Sequence, residues 1–213
     1  MASFKNKDGK VIILRMIKVI QENKDYLSEI DGAIGDGDHG INMNKGFTLC
    51  EKQIMNKDVN LTQGLGTLGR TLMTDIGGSM GPLYGTFFRN MAKKAGDNEE
   101  IDETLFGEML QAAFEGVQNL GDAQTGDKTL VDTLDPALKS YKEAVTTGKQ
   151  FDEALAAMKS AAEVGWQSTR DMVAKLGRAS RLGERSRGVL DPGATSCFFL
   201  ITAMADSILE LTS

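Results

Sequence analysis

The chain has 213 residues, 24 of them basic and 30 acidic, for a formal charge of −6; 41% are apolar and 25% charged. Twenty-four glycines stand against three prolines, a glycine excess without proline or tracts, which with the apolar fraction excludes collagen-like repeats and flexible low-complexity linkers. The acidic balance gives no global electrostatic case for binding nucleic acid or an anionic membrane. A chain of this length buries roughly 70% of its unfolded surface in one core, so a single domain over residues 1–213 is expected. Cys50 and Cys197 lie far apart in apolar stretches without metal-ligand spacing; they read as reduced and buried, which suits a cytoplasmic protein.

Lys5, Lys7 and Lys10 precede the apolar run 11–14, but Arg15 and Lys18 interrupt it, so no export signal is read. No uncharged apolar stretch approaches the ~18 residues of a membrane span. The apolar-rich stretch 11–30 predicts a first long helix, and 43–55 a second. Leu61, Leu65, Leu68, Leu72 and Ile76 repeat with a helical period over 61–76. Over 83–95 the stripe is Leu83, Phe87, Phe88, Met91 and Ala95, with Pro82 fitting a first turn and Gly96 a C-terminal left-handed position. From 102 to 120 the pattern recurs, with Asp102 as N-cap and Gly121 as the stop. Two further helices fit 129–147 and 152–176, capped by Thr129 and Asp152 and ended by Gly148 and Gly177; Pro136 makes the first of them kinked or late to begin. Phe198, Ile201, Met204 and Ile208 mark a last helix over 194–211. Alternating β-branched runs are almost absent, so no sheet is expected. Short connections favour antiparallel neighbours, and the architecture predicted is an all-α bundle or barrel of eight antiparallel helices.

The densest chemical feature is the segment 31–40, DGAIGDGDHG, with three carboxylates and the only histidine. Two carboxylates held ~4 Å apart repel by about 4 kcal/mol at an effective dielectric of 20, and the segment contains no Lys or Arg. A bound cation relieves that repulsion, and Mg²⁺ favours oxygen ligands shared with phosphate and water. The alternative is an acid-rich turn in which Asp38 or Asn42 caps the next helix. Residues 35–40 match G-x-G-x-x-G literally, but the preceding segment reads as helix and two acids stand where a pyrophosphate would approach. An EF-hand fails because, counting from Asp36, the fifth position is Gly40 and the twelfth Phe47. One histidine is too few for zinc, and taken alone His39 reads as a surface or structural residue.

Three other glycine-rich segments bear on function. Residues 77–82 (GGSMGP) precede a helix and suit either a phosphate against free backbone N–H groups or tight helix packing. Residues 121–129 (GDAQTGDKT) nearly spell a P-loop, but Asp127 intrudes before the lysine and no strand precedes. Thr129 remains as a hydroxyl donor or N-cap. Four arginines fall in 178–187, a segment that reads as a phosphate-covering lid or as a solvated charged loop.

In order along the chain, 35–44 (GDGDHGINMN), 77–85 (GGSMGPLYG), 126–129 (GDKT), 177–188 (GRASRLGERSRG) and 191–196 (DPGATS) resemble the nucleotide-binding L subunits of dihydroxyacetone kinases, over roughly residues 10–211. The resemblance implies an eight-helix barrel holding ADP or ATP at one end through two Mg²⁺ ions. It assigns the metal ligands to Asp31, Asp36 and Asp38. It assigns nucleotide contacts to His39, Gly40, Ile41, Asn42, Ser79, Met80, Gly121, Thr129, Arg178, Asp191, Pro192 and Gly193. One departure is Ser79-Met80-Gly81, where the family pattern is Ala-Ser-Gly, so a hydroxyl contact is lost or moved to Ser79. Arg181 and Arg187 map to no family position.

At this length the chain resembles the separate subunit, whose resident ADP is phosphorylated by the phosphohistidine of an M subunit and passes the phosphoryl group to dihydroxyacetone held by a K subunit. No nucleic acid or membrane partner is implied, and a homodimer is compatible. Alternatives within the same fold are an ATP-exchanging domain of a related kinase and a non-catalytic regulator.

Overall fold

The computed structural model describes residues 2–212. Ile12, Ile13, Met16, Ile17 and Ile20 form the buried stripe of α1 (Lys10–Glu22). The helix expected over 11–30 is broken at Asn23, whose Nδ2 donates to the Val19 carbonyl at 2.8 Å and so satisfies the end of the turn with a side chain. A second helix, α2 (Lys24–Ile34), follows directly. Both pack against the next helix and the last one, so they share one place in the ring. There follow α3 (His39–Ile54), α4 (Leu61–Asp75), α5 (Met80–Ala95), α6 (Glu103–Gly121), α7 (Val131–Thr146), α8 (Phe151–Ser168) and α9 (Pro192–Thr212). The described residues thus contain nine α-helices rather than eight. From α3 onward each packs on the next, and α9 returns to α1, which closes a barrel.

The core fills the barrel with Met43, Phe47, Leu65, Leu68, Phe88, Leu110, Leu134 and Ile201, and the Phe47 and Phe88 rings meet edge-on with centroids 6.1 Å apart. Close approach between helices depends on particular glycines. A Cβ on Gly69 of α4 would lie 2.9 Å from the Gly85 carbonyl of α5, and one on Gly85 would lie 3.0 Å from the Gly69 carbonyl. Pro136 has no N–H for the Asp132 carbonyl one turn back, and Gly165 of α8 packs against that carbonyl.

Several boundaries differ from those read in the sequence. A two-stranded antiparallel sheet, β1 (Ser3–Lys5) with β2 (Glu100–Asp102), pairs Phe4 with Ile101; three-residue strands are too short to display alternation. Helix α3 begins at His39 and α5 at Met80, each earlier than its apolar stripe. Helix α6 continues through Gly121, and the left-handed turn falls on Asp122, φ 50°. Helix α8 is capped at Gln150 with Glu153 reaching back, not at Asp152, and ends at Ser168. The Ser168 and Thr169 hydroxyls there donate to the Gly165 and Trp166 carbonyls, doing the work of the next helical turn. One described helix, α9, is long and apolar enough by length and composition to cross a membrane, but 61% of its window is buried in the barrel, so it is a core helix. Both cysteines are free and buried.

Every second connection reaches the same end. Those between α2 and α3, α4 and α5, α6 and α7, and α8 and α9 all contribute to one cavity, which requires neighbouring helices to alternate in direction.

Candidate functional site

The acidic segment forms the rim of this cavity. Asp31 lies in the last turn of α2 and its Oδ2 accepts from the His39 amide at 3.1 Å. Gly35 closes the helix there, and a Cβ at that position would fall 2.4 Å from Asp31 Oδ1. One carboxylate oxygen from each of Asp31, Asp36 and Asp38 lies within 4.8 Å of the others. Asp38 occupies the N-cap of α3 but makes no capping bond with its side chain, which leaves its carboxylate for the cluster. An all-oxygen donor set of this size matches Mg²⁺. Arg178 forms an ion pair with Asp36 from across the mouth.

The cavity measures about 340 Å³, within the range of small-ligand sites. Helices α3, α5 and α9 all present their N-termini to it, through His39, Met80 and Pro192. The positive ends of three helix dipoles therefore converge where the acids would hold a cation, an arrangement suited to a phosphate–metal pair, although Pro192 has no N–H and Asp191 already accepts from the Ala194 amide at the start of α9. Ser79 makes no capping bond, and a Cβ on Gly77 or Gly78 would meet nothing within 4 Å, so backbone lines open space there. Leu83, Val117, Ala123 and Leu130 give the cavity one apolar wall.

Of the residues singled out in the sequence, Asp31, Asp36, Asp38, His39, Asn42, Ser79, Met80, Gly121, Thr129, Arg178, Asp191, Pro192 and Gly193 line this cavity. Gly40 and Ile41 do not. Gly40 is pressed against α2, where a Cβ would strike the Lys24 carbonyl at 2.0 Å, and Ile41 is 54% exposed. Thr129 is not the N-cap of α7; Leu130 is, and Thr129 Oγ1 accepts from the Val131 amide. The segment 178–186 is a 3₁₀ run interrupted at Gly183, φ 55°.

Behind the cavity lies a polar network that the sequence did not reveal. His39 Nε2 and Ser196 Oγ are 2.9 Å apart, Tyr84 O–H and Ser196 Oγ 2.7 Å, and the Tyr84 hydroxyl donates to the Gly193 carbonyl. Burial pushes the His39 imidazole down to about 4, so the ring is neutral and ties α3 to α9. Asp191 caps α9 by accepting from the Ala194 amide at 2.7 Å, yet its burial raises its pKa to about 7. Asp132 accepts from the Gly126 and Thr129 amides and shapes the preceding turn. Lys128 lies at the cavity wall but is 1% exposed.

Fold and site together describe a helical barrel that closes an acidic, glycine-lined cavity at one end. The DAK2 domain model matches residues 33–206, and the chain belongs to the DAK2 domain family. It is 42% identical over 186 residues to the ADP-binding subunit of PEP-dependent dihydroxyacetone kinase 1 of Listeria innocua, covering 87% of this chain and 88% of that one. To the corresponding ADP-binding subunit of Escherichia coli it is 39% identical, over 88% of this chain and 90% of the other. The dihydroxyacetone kinase of C. freundii superposes with a TM-score of 0.70 at 25% identity; the match covers 92% of this chain but only 33% of that larger protein.

Proposed function

We propose that this chain is the ADP-binding subunit of a phosphoenolpyruvate-dependent dihydroxyacetone kinase. The observation that carries the reading is the meeting of the Asp31/Asp36/Asp38 oxygens, within 4.8 Å of one another, with three helix N-termini at one cavity. The near full-length likeness to ADP-binding subunits supports it.

In this reading the three aspartates would hold two Mg²⁺ ions, and amides at the starts of α3 and α5 would receive phosphate oxygens, with the α9 dipole directed at the same charge. ADP with Mg²⁺, when bound, would supply a phosphoryl relay between the phosphohistidine of an M subunit and dihydroxyacetone held by a K subunit. Arg178 adds a charge-assisted contact at the mouth and, with Leu176, limits entry of water. Neutral His39 and Tyr84 hold the N-terminus of α9 in place through Ser196. The apolar wall at Leu83 and Val117 suits a nucleobase. Met80 leaves Ser79 as the nearest hydroxyl to the start of α5.

Mass analysis of nucleotide released from freshly purified protein tests this directly. Stoichiometric ADP, converted to ATP on mixing with phosphorylated M subunit and returned to ADP when K subunit and dihydroxyacetone are added, is the expected result. Protein that carries no nucleotide and takes up none with Mg²⁺ would overturn the reading.

A further inference from the structure

Lys128 is 1% exposed and sits at φ 62°, a conformation costly for any residue with a side chain. The near P-loop spelling of 121–129 would have its ammonium hold a phosphate. Instead Nζ donates to three backbone carbonyls: Ser186 at 2.5 Å, Val189 at 2.6 Å and Met172 at 3.2 Å. An ammonium has three N–H donors and no lone pair, so three carbonyls satisfy it completely and leave nothing for a ligand.

The three carbonyls are not scattered. Met172 lies where the chain sets out toward Arg178, and Ser186 and Val189 lie where it returns. Further bonds close the same neck: the Gly188 amide donates to the Arg170 carbonyl at 2.7 Å, and the Ala174 amide to Ser186 Oγ at 2.9 Å. Outside it, Lys175 is held to Asp127, the neighbour of Lys128, by its amide at 3.1 Å and its Nζ at 3.0 Å. The tip of the segment then reaches Asp36 through Arg178.

We infer that Lys128 is a positioning residue which clamps the neck of the 172–189 segment, thereby holding Arg178 over the acidic cluster, and that it makes no phosphate contact. The part of this inference that concerns nucleotide rests on the function proposed above; the clamp itself does not.

The test uses the full chain with Lys128→Met, Arg178→Ala and both together. Limited trypsin digestion, followed by mass analysis, reads cleavage at the exposed Arg181, Arg185 and Arg187, and release of MgADP reads retention. With three charge-assisted bonds removed, Lys128→Met should raise cleavage in this segment about tenfold or more and speed MgADP release to a similar degree. In the Arg178→Ala background the same change should speed release less than about twofold, because the clamp acts through Arg178. Independent, multiplying effects on release would overturn the positioning role, and unchanged cleavage would overturn the clamp. If Lys128→Met does not fold, Lys128→Gln, whose amide keeps two of the three donors without a buried charge, answers by the same readouts and in the same direction. If the unaltered chain binds no MgADP, the proposed function fails, while the cleavage arm still decides the clamp.

Discussion

The Arg178 guanidinium is ion-paired with Asp36, so the arginine segment between α8 and α9 reaches across the cavity to the cluster of three carboxylates. The two side chains are 60% and 36% exposed, and a pair this open contributes at most about 1 kcal/mol to folding. Its consequence is for ligands. A cation on the cluster and the guanidinium share the charge of Asp36. Arg178→Ala should therefore leave thermal stability almost unchanged and tighten Mg²⁺ binding in the absence of nucleotide by roughly three- to tenfold. The same change should weaken retention of ADP, where the positive charge faces phosphate. Calorimetric titration with Mg²⁺ alone and then with MgADP separates the two effects; a change of the same sign in both would refute the shared-charge account.

Three carboxylates held within 4.8 Å repel one another until a cation joins them. Because Mg²⁺ binds the folded cluster and not the unfolded chain, adding it should raise the melting temperature, and a chelator should reverse the gain. Asp36→Asn removes one charge, so the metal-free protein should be no less stable than the unaltered chain while most of the Mg²⁺-dependent rise disappears. Scanning calorimetry with and without Mg²⁺, raised until the stabilisation approaches the about 2.7 kcal/mol expected at roughly a hundred times the dissociation constant, gives the comparison.

Asp191 gives a pH dependence of definite sign. Its carboxyl titrates at about 7 in the fold, against 3.8 for the ordinary group, because burial disfavours the charged form more than the Ala194 amide and Lys128 favour it. Between those values the folded state holds the proton and the unfolded state does not. This group's contribution is thus fully present below about pH 4 and is lost as pH rises through about 7, by an amount on the order of 4 kcal/mol at most. Asp191→Asn keeps an oxygen for the cap and cannot ionise. Urea unfolding from pH 4.5 to 8 should show the unaltered chain losing stability relative to this variant by at least about 1 kcal/mol. Parallel curves would mean that the carboxylate is better satisfied than its surroundings indicate.

The contrast between Asp36 and Lys128 explains how far the sequence could be read. The acids and the histidine lie within nine positions, so their mutual repulsion is visible as spelling, and the apolar stripe from Leu61 to Leu72 is visible as period. Lys128 finds its carbonyl partners 44 to 61 residues away, around a segment whose only regular structure is an interrupted 3₁₀ run, and no periodicity announces that. The break at Asn23 escapes for a different reason: a side-chain bond to a carbonyl four residues back ends one helix, and the apolar pattern runs on through it. The resemblance assigns Gly40 and Ile41 to the nucleotide; neither lines the cavity, because Gly40 packs against α2 and Ile41 is exposed, contacts that a motif does not spell.

The glycine excess divides into two physical roles, and one pair of substitutions tells them apart. At Gly165 a Cβ would lie 2.1 Å from the Asp132 carbonyl and 2.8 Å from Pro136 Cγ, so α7 and α8 must move apart to admit it. Gly165→Ala should cost about 1–3 kcal/mol by overpacking, read as a lower melting temperature. At Gly77 the same Cβ meets nothing within 4 Å, and the backbone there is not in the left-handed region that favours glycine. Gly77→Ala should therefore change stability by no more than about 0.5 kcal/mol. Yet Gly77 borders the cavity at the approach to α5, where backbone comes close to the proposed phosphate, and a methyl group there takes up that space. Binding of MgADP should fall by about tenfold with the fold intact, as a displaced phosphate contact would require. A loss of stability without loss of binding at Gly77 would place the phosphates elsewhere in the cavity.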